Sequence, residues 1–183
     1  GPLSDSFGRR RIIVIGVAIY IMGSLTAYLS HSFELLLVAR FLQGIGASAP
    51  RIVGVAIVRD RYEGRMMARV MSFVMTLFIL VPAIAPLFGT FVIHLAGWRS
   101  IFLVLVFAGV VMALWLLSRQ PETLEVNHRR PFSFRAIGGA MREIFGNRLV
   151  VVYLLAMTLG FGPLFGFISS VQQIYDVSFG MGE

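Results

Sequence analysis

The chain has 183 residues, 57% of them hydrophobic and only 14% charged, against roughly 25% charged in a water-soluble domain, so a polar-surfaced globule is excluded. It carries a net charge of +7 with every basic residue an arginine, and these sit in short clusters between long apolar runs, which sets aside a solvated nucleic-acid-binding face. It has no cysteine, which removes disulfides, thiolate metal sites and thiol nucleophiles together.

The chain opens at Gly1-Pro2-Leu3-Ser4-Asp5, without methionine or a signal-peptide pattern, and reads as a truncated chain whose first glycine is native. The opening segment continues to Arg9-Arg10-Arg11. Gly1 and Gly8 bracket an acid and permit a tight turn. Asp5 is expected to pair with an arginine or to cap a helix N-terminus.

About 20 mostly apolar residues cross a bilayer core as a helix, and the sequence offers five such runs. They are Ile12 to Leu29, Phe33 to Val58, about Val70 to Leu95, Ile101 to Leu117, and Leu149 to about Val171. Basic residues mark cytoplasmic connections. Arg9, Arg10 and Arg11 precede the first run; Arg59, Arg61, Arg65 and Arg69 follow the second. Arg119, Arg129, Arg130, Arg135, Arg142 and Arg148 follow the fourth. The intervening connections hold only Arg99, beside the interfacial anchor Trp98. This alternation predicts five crossings of an all-α, multi-pass membrane protein, the N-terminal end cytoplasmic and the C-terminal end outside, which in a bacterium is periplasmic.

The second run holds Arg40 and Arg51. An arginine inside a span costs roughly 2.5–3.5 kcal/mol on insertion scales and usually faces a cavity or a partner. Arg40, Gly44, Ala47 and Arg51 recur at helical spacing and share one face, with Gln43 at its border. Gly44-Ile45-Gly46 with Ala49 imitates a dinucleotide fingerprint, but lies mid-helix with no preceding strand and is rejected. In the third run Pro82, Pro86 and Gly89 lie on one face, where prolines remove backbone donors and a neighbour can come close. The fifth run contains Gly160-Phe161-Gly162-Pro163-Leu164-Phe165-Gly166, with a glycine pair for close helix contact and a proline that can break the helix. Broken helices often line transporter sites, which nominates Tyr153, Phe161, Phe165 and Gln172 as cavity-lining residues.

Between the fourth and fifth runs, Arg119 to Arg148 is too polar to span. Within it Phe134, Ile137, Met141, Ile144 and Phe145 follow helical spacing. Two readings stand side by side: an amphipathic helix on the lipid surface, or a solvated linker. His31, His94 and His128 are scattered without ligand spacing, so no metal and no cofactor is expected. No serine–histidine or carboxylate-pair constellation lies within a span, which lowers the reading as a membrane enzyme.

Several of these strings resemble a known family. Gly1, Leu3, Asp5, Gly8, Arg9 and Arg10 match the loop signature G-x-L-x-D-x-x-G-R-R of the major facilitator superfamily, with Ser6 where an arginine is common. Arg40, Gln43, Gly44, Gly46 and Ala47 match its helix-four motif R-x-x-Q-G-x-G-A. Pro86 and Gly89 match the helix-five antiporter motif G-x-x-x-G-P-x-x-G-G, while Val81, Ala85 and Thr90 replace glycines. With Val58-Arg59-Asp60, Gly97-Trp98-Arg99 and Pro121-Glu122-Thr123-Leu124, the segment Gly1 to Leu124 is similar to the bicyclomycin- and chloramphenicol-resistance type of drug:proton antiporter.

The resemblance implies helices three to seven of a twelve-helix fold. Residues 1–118 would belong to the N-terminal half, 119–148 would be the central cytoplasmic linker, and 149–183 the first helix of the C-terminal half with its outer tail. It implies a conformational latch at Gly1, Asp5, Gly8, Arg9 and Arg10. It implies proton coupling at Arg40, the alternative being an ion pair that only holds helices together. It further implies a monomeric, non-enzymatic parent in the bacterial inner membrane, exchanging protons for a small drug. A uniporter or symporter of a metabolite is the rival reading, and a non-transporting membrane scaffold a weaker one.

Overall fold

A computed structural model describes residues 2–124 and 133–179, and every regular element among them is an α-helix. The helices are α1 (Pro2–Phe7), α2 (Arg9–Tyr28), α3 (Phe33–Arg61), α4 (Gly64–Ala96), α5 (Ser100–Arg119), α6 (Phe134–Gly146) and α7 (Arg148–Phe179). The chain divides into two units, Gly1–Phe132 and Ser133–Glu183. In the first, α2, α3, α4 and α5 are each long and apolar enough to cross a bilayer. In the second, α6 and the first part of α7 form a further candidate, bent by 84°. The protein is thus a multi-pass helical membrane protein.

Local signals set the ends of these helices. Gly8, at φ 97°, turns the chain between α1 and α2, a backbone conformation that favours glycine. Ser32 caps α3, its hydroxyl accepting from the Leu35 N–H at 3.2 Å. Glu34 in the first turn and Arg59 and Arg61 in the last complement the α3 dipole. Gly97, at φ 80°, closes α4.

The first unit is organised around α2, which packs most extensively against α3 and next against α5. One core joins Ile13 and Val17 of α2 to Val53 of α3 and Leu116 of α5; the other joins Ala27, Ala39 and Phe102. The start of α2 therefore meets the ends of α3 and α5, so α2 runs antiparallel to both. Small residues let α2 and α3 approach. A Cβ added at Gly46 would fall within 3 Å of the Tyr20 backbone nitrogen and the Gly16 carbonyl. One at Gly23 would sit 2.7 Å from the Gln43 nitrogen.

Two expectations change. The prolines do not interrupt their helices: α3 continues through Pro50, α4 through Pro82 and Pro86, and α7 through Pro163. A proline deletes one hydrogen bond of the ladder and leaves the flanking turns bonded. Nor, among the described residues, does a neighbour come close to Gly89 on the Pro82–Pro86–Gly89 face. No residue of α4 is buried, and nothing lies within 4 Å of a Cβ built at Gly89. That face is open in the described residues, although its sequence spacing suits close packing.

Candidate functional site: a clamp at the arginine-rich end and a cavity at Arg40

The start of α2, the end of α3 and the segment just after α5 meet at one end of the first unit. Arg9 is only 8% exposed and is the hub. Its Nη1 donates to the carboxylate of Asp5, four residues back in α1, and to Ser4 Oγ at 2.7 Å. Its Nε donates to Asp60 Oδ2 at 3.0 Å. One guanidinium thus bridges α1, α2 and the end of α3. Asp5 takes the pairing role of its two expected roles.

The capping role falls to Glu122, in the segment after α5. Its Oε1 accepts from the Arg9 backbone N–H at 2.9 Å and its Oε2 from that of Arg10 at 3.3 Å. These are first-turn donors of α2, which have no intrahelical acceptor, and Gly8 offers no side chain to satisfy them. Oε1 also accepts from the Thr123 and Leu124 N–H groups, each at 3.1 Å. Partial desolvation raises the Glu122 pKa, but the four backbone donors outweigh it, and the carboxyl is held below its ordinary range. Arg10 Nη2 completes the tie, donating to the Leu117 carbonyl at 2.6 Å.

The second locus lies nearer the opposite end. Arg40, Gln43, Gly44 and Ala47 line a cavity of about 310 Å³ together with Tyr20 and Leu105. Gln43 is 5% exposed and is more than a border residue. Its Oε1 accepts from Arg40 Nη1 at 2.7 Å, and its Nε2 donates to Ser24 Oγ at 2.7 Å. The Arg40 guanidinium also lies 5.5 Å from the centroid of the Phe102 ring. A buried amide from α3, held by a hydroxyl from α2, therefore aims a cation at a small open cavity.

Arg51 does not join it. Eleven residues at 1.5 Å each put it about 16 Å further along α3. There it faces the Phe78 ring at 5.8 Å and lines a separate cavity with Asp5, Arg9 and Asp60. The stripe read from the sequence is real but too long for one site. Gly44 faces open space, and Gly46 makes the close contact with α2. Tyr153 and Phe161 are exposed on α7. Gly1 and the side chains of Phe165 and Gln172 lie outside the described residues. Pro82, Pro86 and Gly89 lie on α4 and line neither cavity.

Sequence reasoning missed Ser24, Tyr20, Phe102 and the capping role of Glu122. Tyr20 carries a phenol inside an apolar run, which is a signal. Ser24 is indistinguishable from other small residues of α2, and Glu122 acts on an α-helix 112 residues away, a contact no local pattern encodes.

The Major Facilitator Superfamily profile matches residues 1–182. A bicyclomycin resistance protein homolog from Haemophilus influenzae is 32% identical over 178 residues, 96% of this chain and 44% of that protein. The MFS-type transporter YdgK from Bacillus subtilis is 34% identical over 99% of this chain and 46% of its own length. The multidrug transporter MdfA from Yersinia pestis is 28% identical over 95% of this chain and 42% of its own length. The chain thus spans less than half the length of these relatives. With the family profile matched over nearly all its residues, the chain belongs to the Major Facilitator Superfamily.

Proposed function

We propose that this chain is the central part of a proton-driven drug antiporter of the bacterial inner membrane, working as a monomer by alternating access. Residues 1–118 contribute helices three to six of the N-terminal half, 119–148 the central linker, and 149–183 the start of the C-terminal half. The arginine-rich ends of the spans face the cytoplasm. The observation that carries the reading is Arg40: a cation inside a span, fixed by Gln43 and open to a cavity rather than neutralised by an acid among the described residues. Such a group can feel the protonation state of an acid or the charge of a substrate entering from elsewhere in the protein. Relatives named for bicyclomycin and multidrug resistance supply the substrate class. Arg9, Asp5, Asp60 and Glu122 act as the latch of one conformational state.

The test uses the full-length protein in inverted membrane vesicles, energised by respiration, with internal pH followed by a quenched dye. Addition of a transported drug partly collapses the pH gradient in wild type, and Arg40→Ala abolishes the response while leaving expression intact. The departures from the helix-five motif at Val81, Ala85 and Thr90 favour a metabolite uniporter or symporter as the second reading. If no drug in a broad panel disturbs the gradient while labelled metabolites still equilibrate, that reading replaces the first.

A further inference from the structure

The second unit contains a corner that the proposed transport site does not include. α6 and α7 meet at 84°, and a single residue, Asn147, caps both helices. Its backbone N–H donates to the carbonyls of Glu143 and Ile144 at 3.1 and 3.3 Å, closing α6. Its side-chain Oδ1 accepts from the N–H groups of Leu149 and Val150 at 3.0 and 3.4 Å, opening α7. The right angle is thus built by hydrogen bonds at one position rather than by a loose loop. If α7 crosses the bilayer, α6 must lie along its surface.

The two sides of α6 differ sharply. At 100° per residue, Phe134, Ile137, Met141, Ile144 and Phe145 fall within an arc of about 100°. Met141 and Phe145 are 52% and 67% exposed. Arg135 and Arg142, seven residues apart, share one flank of this face and are both exposed, and Glu143 points to the opposite side. An apolar wedge with cations at one edge is complementary to a lipid surface carrying negative charge.

We propose that α6 is a docking helix for anionic phospholipid, its apolar face seated among acyl chains and Arg135 and Arg142 paired with headgroup phosphates. The proposal rests on the reading that α7 spans the membrane. Each arginine near an anionic surface favours the docked state by about fivefold, so the pair sets the lipid dependence while the apolar face sets the depth.

The test takes full-length protein in lipid nanodiscs, with cysteines elsewhere in it replaced by serine. A fluorescent label is placed at Met141→Cys on the apolar face, Glu143→Cys on the polar face, or Leu155→Cys within α7. Quenching by lipid-bound nitroxide is compared with quenching by an aqueous agent, in phosphatidylcholine alone and with phosphatidylglycerol added. The Met141 label is expected to be quenched from the lipid, several-fold more with phosphatidylglycerol, and the increase is expected to vanish in Arg135→Gln/Arg142→Gln. The Glu143 label stays accessible from water. Equal quenching in both lipids, or in both arginine states, overturns the recognition of anionic lipid. A Met141 label shielded from both quenchers places α6 against protein and overturns the docking itself. A Leu155 label not quenched from the lipid shows that the spanning reading has failed, and the proposal falls with it.

Discussion

At the scale of single residues, the two loci depend on side chains whose contribution is positional. Ser24 lines neither cavity, yet its hydroxyl is the acceptor for Gln43 Nε2. Removing it leaves a buried amide donor unsatisfied, which costs about 1–3 kcal/mol. Ser24→Ala is therefore expected to lower the unfolding midpoint of the purified full-length protein and to weaken the drug-induced proton response. Ser24→Thr, which retains the hydroxyl, should keep most of that response. An unchanged response in Ser24→Ala would mean that Arg40 does not depend on the chain of contacts behind it. Glu122 makes a different prediction, because its charge matters. Its folded pKa is depressed, so the stability it contributes is fully present above the ordinary carboxylate range and is lost as pH falls through the folded value. Loss of the cap in Glu122→Gln should cost about 1 kcal/mol near pH 7. The gap between wild type and variant should then narrow as pH falls below the ordinary carboxylate range and close once pH is below the depressed folded value, where both side chains are neutral. Thermal unfolding of the two proteins across that range checks it. A gap that widens in acid would show that the carboxylate is not what caps α2.

At the scale of elements, the pairing of α2 with α3 is where close approach decides the geometry. Gly44 and Gly46 are two residues apart, so they face different directions on α3. Gly46 is pressed against the α2 backbone between Gly16 and Tyr20, whereas Gly44 opens on the cavity. Gly46→Val must push two helix backbones apart and is expected to cost about 1–3 kcal/mol or more, with loss of folded protein at the membrane. Gly44→Ala is expected to fold normally and to affect only what the cavity accepts. The yield of monodisperse protein after detergent extraction separates the two, and equal yields would refute the close contact. This pair also marks how far the sequence could be read. Helix periods and apolar lengths located the four spans α2 to α5, because a bilayer forces one long apolar run per crossing. The small-residue stripe of α3 was legible as a stripe. Which of its faces packs and which opens depends on the partner helix, and α2 carries that information only as Gly16 and Gly23 among ordinary apolar residues. The same limit applies to Arg51, which shares a helix period with Arg40 but lines a different cavity within this chain.

At the scale of the whole molecule, the arginine pattern makes a claim about sidedness that is independent of any site. Within the first unit the connections that sequence assigned to one side meet in space: Arg9 bonds Asp60, and the Arg9 and Arg10 backbones bond Glu122. At the far end, Arg99 Nη2 donates to the Ser30 carbonyl at 3.1 Å and its guanidinium lies 5.2 Å from the Trp98 ring centroid. Opposite ends of the bundle are thus tied by different chemistry, carboxylate clamps at one and a backbone bond with an aromatic at the other. The orientation proposed from this pattern places the α2–α3 connection outside the cell and the α3–α4 connection inside. Single cysteines test it in intact cells making the full-length protein with its other cysteines replaced. A charged, membrane-impermeant maleimide should label His31→Cys without permeabilisation and Glu63→Cys only after it. Labelling of Glu63→Cys in sealed cells, with His31→Cys protected, would invert the protein. The Arg9 clamp would then face the periplasm. Labelling of both sites in sealed cells would instead break the alternation itself, because α3 could not then separate its two ends across a bilayer.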